Sequence, residues 1–303
     1  MRKQLTDSLL KRSKNEMMCF LTADLGFMAL EPLRDMMGKR FINVGIAEQN
    51  MISVAAAMSK QGFEIWAYSI SPFVYARPFE QIRNDICFHA APVKLIGNGG
   101  GYAYGVMGPT HHAIEDYGVL LTLPNIEIYV PAFDEDIEDV VNIVGDSSLP
   151  SYLRLGRGEI PKDYIPPKYS PWRNILDGEA IVVISIGPIS GTFIKAFSEL
   201  SKKNRPSFWI LSELPLEKNP LPNELIDKIR SIKRIFIIEE HVKNGSLGAM
   251  ISLFLMKNNI QVDCFLHSHA QRHQFKTYGS QNFLREKSEL DSKSILNKLL
   301  ECE

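Results

Sequence analysis

Short apolar runs alternate along this chain with segments of helix length, and this alternation is the feature that most restricts the fold. Residues 17–22, 63–70, 93–96 and 126–130 have the length and composition of buried strands. Between the first two runs, the apolar residues of 45–60 have helical spacing and stop at a glycine. Strands that alternate with helices form parallel sheets, because a helical crossover is needed between parallel neighbours. The sequence therefore predicts an α/β fold of doubly wound, mostly parallel sheets.

A cluster of prolines divides the chain into two predicted domains. Four prolines lie within one polar segment: Pro161, Pro166, Pro167 and Pro171. Helices and inner strands tolerate proline poorly, so this segment is typical of a linker. We place a first domain at 1–160, a linker at 161–174 and a second domain at 175–303. The second domain repeats the alternation, with short apolar strands predicted at 180–186, 207–211, 235–238 and 262–266.

The charge balance and the cysteines limit what the protein binds and where it works. Thirty-four basic residues against 35 acidic ones give a net charge of -1, which offers no field for a polyanion and argues against a nucleic acid partner. No apolar run reaches the ~18 residues that a membrane-spanning helix needs. The cysteines are widely spaced, which predicts reduced thiols and a cytoplasmic location: Cys19, Cys87, Cys264 and Cys302.

A glycine-rich loop that runs into two histidines is the most unusual local feature. Glycines within 97–101 permit close backbone approach to a ligand, and His111 and His112 follow at a loop-to-helix junction. Imidazoles titrate near neutral pH, which suits acid/base chemistry or substrate binding. Two other interpretations stay open at this point. The histidines cap the next helix, or they join Glu115 and Asp116 in a metal site.

Glu48 is the candidate carboxylate, and the sequence leaves two interpretations of it. A glutamate in the first turn of a helix is favoured by the helix dipole and needs no catalytic role. Its neighbours Ile46, Ala47, Met51 and Ile52 are apolar, however. Burial among them would favour the protonated form, which donates a hydrogen bond.

The helix that begins near Glu48 carries a family resemblance. Gly45-Ile46-Ala47-Glu48-Gln49-Asn50-Met51 resembles the signature helix of the transketolase family, which also includes deoxyxylulose-phosphate synthase. Other segments resemble that family in order and spacing: Ala23-Asp24-Leu25, Ser71-Pro72-Phe73, Gly108-Pro109-Thr110-His111, Glu115-Asp116, Leu123-Pro124-Asn125 and Leu153-Arg154-Leu155-Gly156-Arg157-Gly158. Glu239-Glu240-His241 resembles the family's second domain. The resemblance implies a pyrimidine-binding domain followed by a transketolase C-terminal domain.

The resemblance also implies a partner chain. Single-chain relatives begin with a domain whose Gly-Asp-Gly motif and downstream asparagine hold a metal diphosphate, and this sequence has only the fragment Asp177-Gly178. The chain is therefore expected to be the C-terminal subunit of a split transketolase. Thiamine diphosphate and Mg²⁺ would be held mainly by an N-terminal subunit, in an α2β2 heterotetramer.

Position by position, the resemblance assigns roles to three residues of the first domain. Glu48 matches the glutamate that bonds the ring nitrogen of the cofactor's aminopyrimidine. Phe73 matches the aromatic residue that stacks on this ring, although an ordinary core phenylalanine would have the same sequence. His111 matches the histidine that contacts the reacting oxygens of the substrate. Glu48 and His111 are therefore the catalytic candidates, with Glu48 and Phe73 binding the cofactor.

Four further residues bear on cofactor and substrate binding. Asp24 matches an aspartate that lies near the cofactor where two subunits meet, and Arg157 matches an arginine that binds substrate phosphate, unless it forms only a surface salt bridge. Met107 stands where transketolases usually have an aspartate that binds a hydroxyl of the acceptor. Gly99 replaces another active-site histidine. Both departures predict an acceptor that differs from ordinary pentose phosphates, as in the making of an unusual sugar.

The resulting hypothesis is transfer of a two-carbon ketol unit from a ketose phosphate to an aldose-type acceptor, by a carbohydrate-metabolising enzyme that is active only with its partner. Two alternatives within the cofactor class are the β subunit of a 2-oxo acid dehydrogenase and a deoxyxylulose-phosphate synthase fragment. A third alternative is a scaffold homologue without catalysis. Glu48, Phe73 and His111 occurring together argue against the scaffold.

Overall fold

The computed structural model describes residues 1–271 and 277–300, within which the chain forms two sheets flanked by helices. The strands are β1 (Met18–Thr22), β2 (Phe41–Asn43), β3 (Glu64–Ile70), β4 (Val93–Asn98), β5 (Glu127–Tyr129), β6 (Ser151–Leu155), β7 (Trp172–Leu176), β8 (Val182–Ile186), β9 (Ser207–Leu211), β10 (Glu213–Leu214), β11 (Arg234–Glu239) and β12 (Cys264–His269). The α-helices are α1 (Arg2–Arg12), α2 (Glu31–Met37), α3 (Glu48–Ser59), α4 (Ser71–Tyr75), α5 (Phe79–Gln81), α6 (Asp116–Leu120), α7 (Asp136–Asp146), α8 (Gly191–Ser198), α9 (Asn223–Ile232), α10 (Leu247–Lys257), α11 (Gln281–Lys287) and α12 (Ser292–Leu300).

Both sheets are mostly parallel. The first has the order β10-β5-β6-β4-β3-β1-β2, and all its pairs are parallel except that of β10 with β5. The second has the order β12-β11-β8-β9-β7, and only β7 runs antiparallel to its neighbour. The predicted α/β class is confirmed. One consequence is that the carboxyl ends of β1 to β6 lie along a single edge.

Helices cover both faces of each sheet, which is the doubly wound arrangement. In the first sheet, alternate residues of β3 enter different cores: Trp66 packs with α1 and α7, whereas Ala67 packs with α3 and α4. In the second sheet, Val183 packs with α8 and Ile184 with α9 and α10. Successive side chains of a strand point to opposite faces, so these strands contain continuous apolar runs.

Buried ion pairs connect the loop after β4 to the second sheet. Arg154 of β6 bonds Asp116 through Nε at 2.8 Å and the Glu240 carbonyl through Nη2 at 3.0 Å. Glu240 accepts from the backbone N–H of Tyr102 at 3.0 Å and from Arg285 Nη2 at 2.8 Å. Since all these groups are buried, they fix the glycine-rich loop against the second sheet.

Several elements differ from the sequence prediction. Strand β7 begins at Trp172, inside the segment predicted as linker, and its Arg173 is buried with both terminal nitrogens on Asp136 at 2.6 and 2.8 Å. The residue pattern of 112–121 is typical of a helix, but the helix begins only at Asp116, because Ala113 pairs with Gly101 in an isolated bridge. The residues of 79–88 also have the pattern of a single helix, but they form the short α5 and a π-helical segment at Ile82–Cys87.

The cysteines follow the prediction only in part. Cys19 and Cys87 are buried free thiols, as expected. Cys264 is disulfide-bonded, which contradicts the expectation that every cysteine is reduced. Cys302 lies outside the described residues. Among the helices of the described residues, none is long and apolar enough to cross a membrane.

Candidate active site

The candidate residues of the first domain lie in segments that follow the carboxyl ends of parallel strands. Asp24 follows β1, Glu48 begins the helix after β2, Phe73 lies directly after β3, and His111 belongs to the loop after β4. Ligands of open α/β sheets bind at this edge, because the loops there are free to vary while the strands hold them in place. The topology therefore brings residues distant in sequence to one edge.

Glu48 is buried, with 4% of its surface exposed, at the start of α3. The helix presents Met51, Ile52 and Ala55 to the core, which draws its first turn inward. Both carboxylate oxygens accept from Arg77 Nη1 at 3.0 Å, and Oε1 also accepts from Ser69 Oγ at 3.3 Å. The predicted burial is correct.

Three side chains continue from Glu48 in a stacked row. The guanidinium carbon of Arg77 lies 3.8 Å from the centre of the Phe73 ring. The Phe73 ring meets His111 edge to face, with 5.1 Å between ring centres. We call Glu48, Phe73, Arg77 and His111 the Glu48 cluster. A buried carboxylate beside an aromatic face binds a flat, hydrogen-bonding cation, and the guanidinium of Arg77 is such a group.

The two adjacent histidines have different surroundings. Partial burial, and then the charge of Arg77, lower the pKa of His111, so its imidazole is neutral at pH 7. Its Nδ1 lies 3.0 Å from Thr110 Oγ1. His112 is buried, and its ring meets Tyr102 edge to face at 5.3 Å. His111 therefore belongs to the Glu48 cluster, whereas His112 packs against the loop that bonds the second sheet.

A metal site at these histidines is not supported. Asp116 is fully buried and accepts from Arg154 and from the Tyr152 hydroxyl, so its charge is already compensated. Across residues 1–271 and 277–300, no group of three His, Cys, Asp or Glu side chains is arranged to hold a metal ion.

Asp24 is tied to the loop that leads to Glu48. Its φ of 52° is left-handed, and Asn43 at the end of β2 donates from Nδ2 to Asp24 Oδ1 at 2.9 Å. The same amide accepts from the backbone N–H groups of Asp24 at 3.1 Å and Gly45 at 2.9 Å. Asp24 is exposed and, with Thr22 and Asn43, lines a cavity of about 200 Å³.

Arg157 and Met107 are less closely connected to the site, since among the described residues no side-chain hydrogen bond or ion pair joins either of them to the Glu48 cluster. Arg157 is exposed, and its carbonyl accepts from Arg285 Nη2 at 3.2 Å. Met107 is 53% exposed at the end of a 3₁₀ turn. Gly108 follows with φ of 84°, and a Cβ there would lie 2.1 Å from the Tyr278 ring, so glycine is required.

Sequence reasoning missed Arg77, Ser69 and Asn43. Arg77 follows Ser-Pro-Phe by four residues and precedes a proline, a pattern that indicates a turn but not the direction of the side chain. Ser69 is a buried strand residue without a polar pattern around it. Asn43 has a recognisable signal, since an asparagine at a strand end, two residues before a glycine, is typical of a turn in which the side chain bonds the backbone two residues on.

Comparison with known proteins agrees on one family. Residues 5–162 match the model described as transketolase, pyrimidine binding domain. The chain is similar to a subunit of apulose-4-phosphate transketolase from Phocaeicola vulgatus, with 28% identity over 86% of this chain and 85% of that protein. It is also similar to 1-deoxy-D-xylulose-5-phosphate synthase of Clostridium perfringens, with 25% identity over 97% of this chain but 48% of that protein. Among solved structures, a split gene transketolase described as an inactive β4 tetramer matches with a TM-score of 0.83 and 25% identity, over 99% of this chain and 97% of that one.

Proposed function

The chain belongs to the transketolase family by its pyrimidine-binding domain, and on this premise we propose that it is the C-terminal subunit of a split transketolase. The supporting relatives are a protein named as one subunit of a transketolase and a split gene transketolase chain, each matched over more than four fifths of its length. The observation that carries the proposal is the Glu48 cluster, which contains the three residues of the family pattern. In this cluster His111 contacts Phe73 directly, and Arg77 connects Phe73 to Glu48.

The residues of the Glu48 cluster fit the aminopyrimidine of thiamine diphosphate. Phe73 offers a flat face, and Glu48 offers a buried carboxylate beside it, both already engaged by a planar cation. An aminopyrimidine is likewise flat and has a ring nitrogen that bonds to a carboxyl group. When bound, thiamine diphosphate supplies the electron sink that allows a carbon–carbon bond beside a carbonyl to break.

We assign the chain's own residues as follows. Glu48 bonds the ring nitrogen of the pyrimidine and moves a proton at that atom, and Phe73 holds the ring by stacking. His111, neutral at pH 7 because burial and Arg77 lower its pKa, accepts a hydrogen bond or a proton from a substrate hydroxyl. Asp24 lies at the edge where a partner domain would add the diphosphate, and Arg157 binds a sugar phosphate.

The substrates we propose are a ketose phosphate donor and an aldose-type acceptor, between which a two-carbon ketol unit is transferred. Met107 is half-exposed, and its thioether accepts hydrogen bonds poorly. An acceptor that presents an apolar or modified carbon beside Met107 loses less binding free energy than one that presents a hydroxyl there, since an unpaired polar group costs about 1 to 3 kcal/mol. The acceptor is therefore expected to differ from ordinary pentose phosphates.

Assembly and location complete the proposal. We propose domains at 1–160 and 175–303 and an N-terminal partner subunit that holds the diphosphate and Mg²⁺, in an α2β2 heterotetramer. The family match over 5–162 supports the first boundary. A cytoplasmic location stays a prediction, and the disulfide of Cys264 weighs against its cysteine argument.

A second candidate is deoxyxylulose-phosphate synthesis, favoured by the similarity over 97% of this chain to a synthase of that name. The chain spans about half of that relative. The same Glu48 cluster would bind the cofactor, so the cluster alone does not separate the two reactions. The substrate supplied in the assay does.

The test is a reconstitution assay with Mg²⁺ and thiamine diphosphate. Ketol transfer from a ketose phosphate is measured for the chain alone, for the candidate partner alone, and for the pair. We expect activity only from the pair, and its loss with Glu48→Ala. Glu80→Ala, which removes an exposed glutamate of α5, is the matched control and should keep activity. Product formation from pyruvate and a triose phosphate, but not from ketose donors, would support the synthase instead. A partner as active without the chain as with it would overturn the proposal.

A further inference from the structure

Arg77 makes the contacts that an aminopyrimidine would need. Its guanidinium stacks on Phe73 at 3.8 Å and donates to both oxygens of Glu48 at 3.0 Å. Two flat groups do not fit in the same layer between one ring face and one carboxylate. Arg77 and the pyrimidine therefore compete for one place, which we call the Glu48–Phe73 seat.

We propose, building on the function above, that Arg77 occupies the Glu48–Phe73 seat as a substitute for the cofactor's pyrimidine and must swing out before the cofactor binds. The residue is a positioning residue: it sets the cost of cofactor entry rather than taking part in the reaction. In this view, the apparent affinity for the cofactor is the intrinsic affinity reduced by the fraction of molecules whose seat is open.

The surroundings of Arg77 allow this movement. Its side chain is 45% exposed, whereas that of Glu48 is 4% exposed. The residue lies between α4 and α5, directly before Pro78, and its side-chain hydrogen bonds within the described residues go to Glu48 alone. Arg77 can thus reach solvent by side-chain rotation, without displacing a helix or a strand.

Glu48 explains why the seat stays closed without a ligand. A carboxylate buried to this extent is costly when unpaired, and Ser69 alone supplies one long hydrogen bond at 3.3 Å. Arg77 therefore leaves only when another group takes over the carboxylate. The exchange replaces one flat hydrogen-bonding group by another, so Glu48 is not left unpaired at either end of the process.

The first test measures thiamine diphosphate binding, by calorimetry with Mg²⁺, to the full chain paired with its partner. Arg77→Met keeps the side-chain length but removes the guanidinium. Arg83→Met removes an exposed arginine whose side chain, within the described part of the chain, bonds only Asn84. We expect Kd to fall about tenfold in the first variant, the scale of an exposed cation–π contact plus a half-exposed ion pair, and to stay unchanged in the second. Unchanged or weaker binding by Arg77→Met would overturn the inference, since Arg77 would then be structural or a direct cofactor ligand.

The second test probes the seat without the cofactor. Methylguanidinium is added to the full chain carrying Arg77→Ala, and the melting temperature is followed. We expect stabilisation that saturates with concentration, that disappears when Phe73→Leu or Glu48→Gln is added, and that is absent from wild type and Arg83→Ala. Absence of stabilisation in Arg77→Ala would contradict the seat itself.

The two tests separate this inference from the proposed function. If the pair transfers ketol units but Arg77→Met binds thiamine diphosphate with unchanged Kd, the proposed function stands and the inference about Arg77 is wrong. If Arg77→Ala binds methylguanidinium saturably but the pair does not bind thiamine diphosphate, the proposed function is wrong and Arg77 is still a displaceable occupant of the seat.

Discussion

Two buried glutamates of this protein are held in opposite ways. Glu48, 4% exposed, is paired with a half-exposed arginine and receives one long hydrogen bond from Ser69. Glu239, fully buried at the end of β11, accepts from the backbone N–H groups of Leu247 and Gly248 at 2.9 and 2.8 Å, from His267 Nε2 at 2.7 Å and from the Tyr117 hydroxyl. We call this second set the Glu239 cluster.

The difference lies in whether the partners can leave. The donors of Glu239 are fixed: two are backbone groups at the first turn of α10, and the Tyr117 ring is buried and stacks on His241 at 3.9 Å. The cation of Glu48 is on a flexible side chain that reaches solvent. Burial of a carboxylate therefore does not by itself indicate a site. A buried carboxylate whose partner can be exchanged is the better indicator.

The strongest test of this comparison is Glu48→Gln in the reconstituted pair. We expect ketol transfer to fall by at least about 100-fold, the usual scale for a lost acid/base group, while the unfolding free energy changes by less than about 1 kcal/mol. The amide keeps the shape but cannot take up and return the proton. Steady-state rates check the loss of ketol transfer, and urea unfolding of the same preparation checks the small change in unfolding free energy. A variant that keeps more than half of its activity would make Glu48 structural, like Glu239.

The reverse pattern is expected for Glu239→Gln. The Leu247 N–H donates to Oε2 and the Gly248 N–H to Oε1, so in either orientation the amide nitrogen would face one of these donors and leave a buried N–H unpaired. We expect a loss of about 3 kcal/mol of unfolding free energy, the usual cost of breaking a buried charged network, with activity retained by the fraction that is folded. Urea unfolding followed by circular dichroism measures the loss. A cost below that of Glu48→Gln would invalidate the contrast between the two clusters.

Acid should remove the stabilisation by Glu239. Burial opposes ionisation, but the hydrogen bond from His267, the charges of His241 and His267 and the bond from Tyr117 together lower the pKa of Glu239 from 4.5. A carboxylate with a lowered folded pKa stabilises above the unfolded pKa, and this contribution is lost as pH falls through the folded value. The stability gap between wild type and Glu239→Gln should therefore be largest near pH 7 and shrink below pH 4.5. A gap that is constant from pH 7 to pH 3 would contradict the ionised state.

The sequence predicted more of the fold than of the site. The parallel α/β architecture follows from residues that lie next to each other in the chain, such as the apolar run of β8 or the helical spacing before Gly62. Strand β6 was missed by pattern because Arg154 interrupts it, and this arginine is buried only because Asp116 and Glu240 lie opposite. Long-range pairing of this kind leaves no local signal.

The site shows the same limit. Glu48, Phe73 and His111 were found by resemblance, whereas Arg77 was not, because its contact with Glu48 depends on the turn after α4. Glu48 and Glu239 look alike in sequence, since each is a glutamate beside apolar residues. Only the positions of their partners separate a candidate catalytic group from a structural one. The two hydroxyl donors lie 21 residues from Glu48 and 122 residues from Glu239 along the chain.

The smallest expected effect comes from the hydroxyl groups of the two clusters. Tyr117→Phe removes a short hydrogen bond to a fully buried carboxylate, and Ser69→Ala removes a long one at 3.3 Å. Both substitutions delete a single oxygen and leave the packing nearly unchanged, so they form a matched pair. We expect Tyr117→Phe to cost about 1.5 to 3 kcal/mol of unfolding free energy and Ser69→Ala less than about 1 kcal/mol.

Cofactor affinity should divide the same two variants in the opposite sense, with Ser69→Ala the more affected. Among the described residues, Ser69→Ala leaves Glu48 with hydrogen bonds from Arg77 alone. Once Arg77 has left the seat, the carboxylate then lacks the hydroxyl donor that wild type keeps. Cofactor binding should then change although stability does not. Tyr117→Phe acts on the second cluster, where a lost bond is still compensated by two backbone donors and His267, so its cofactor affinity should equal that of wild type. Equal effects of the two variants on both stability and cofactor affinity would mean that Glu48 is held as rigidly as Glu239, and that exchange of its partner is not what distinguishes the site.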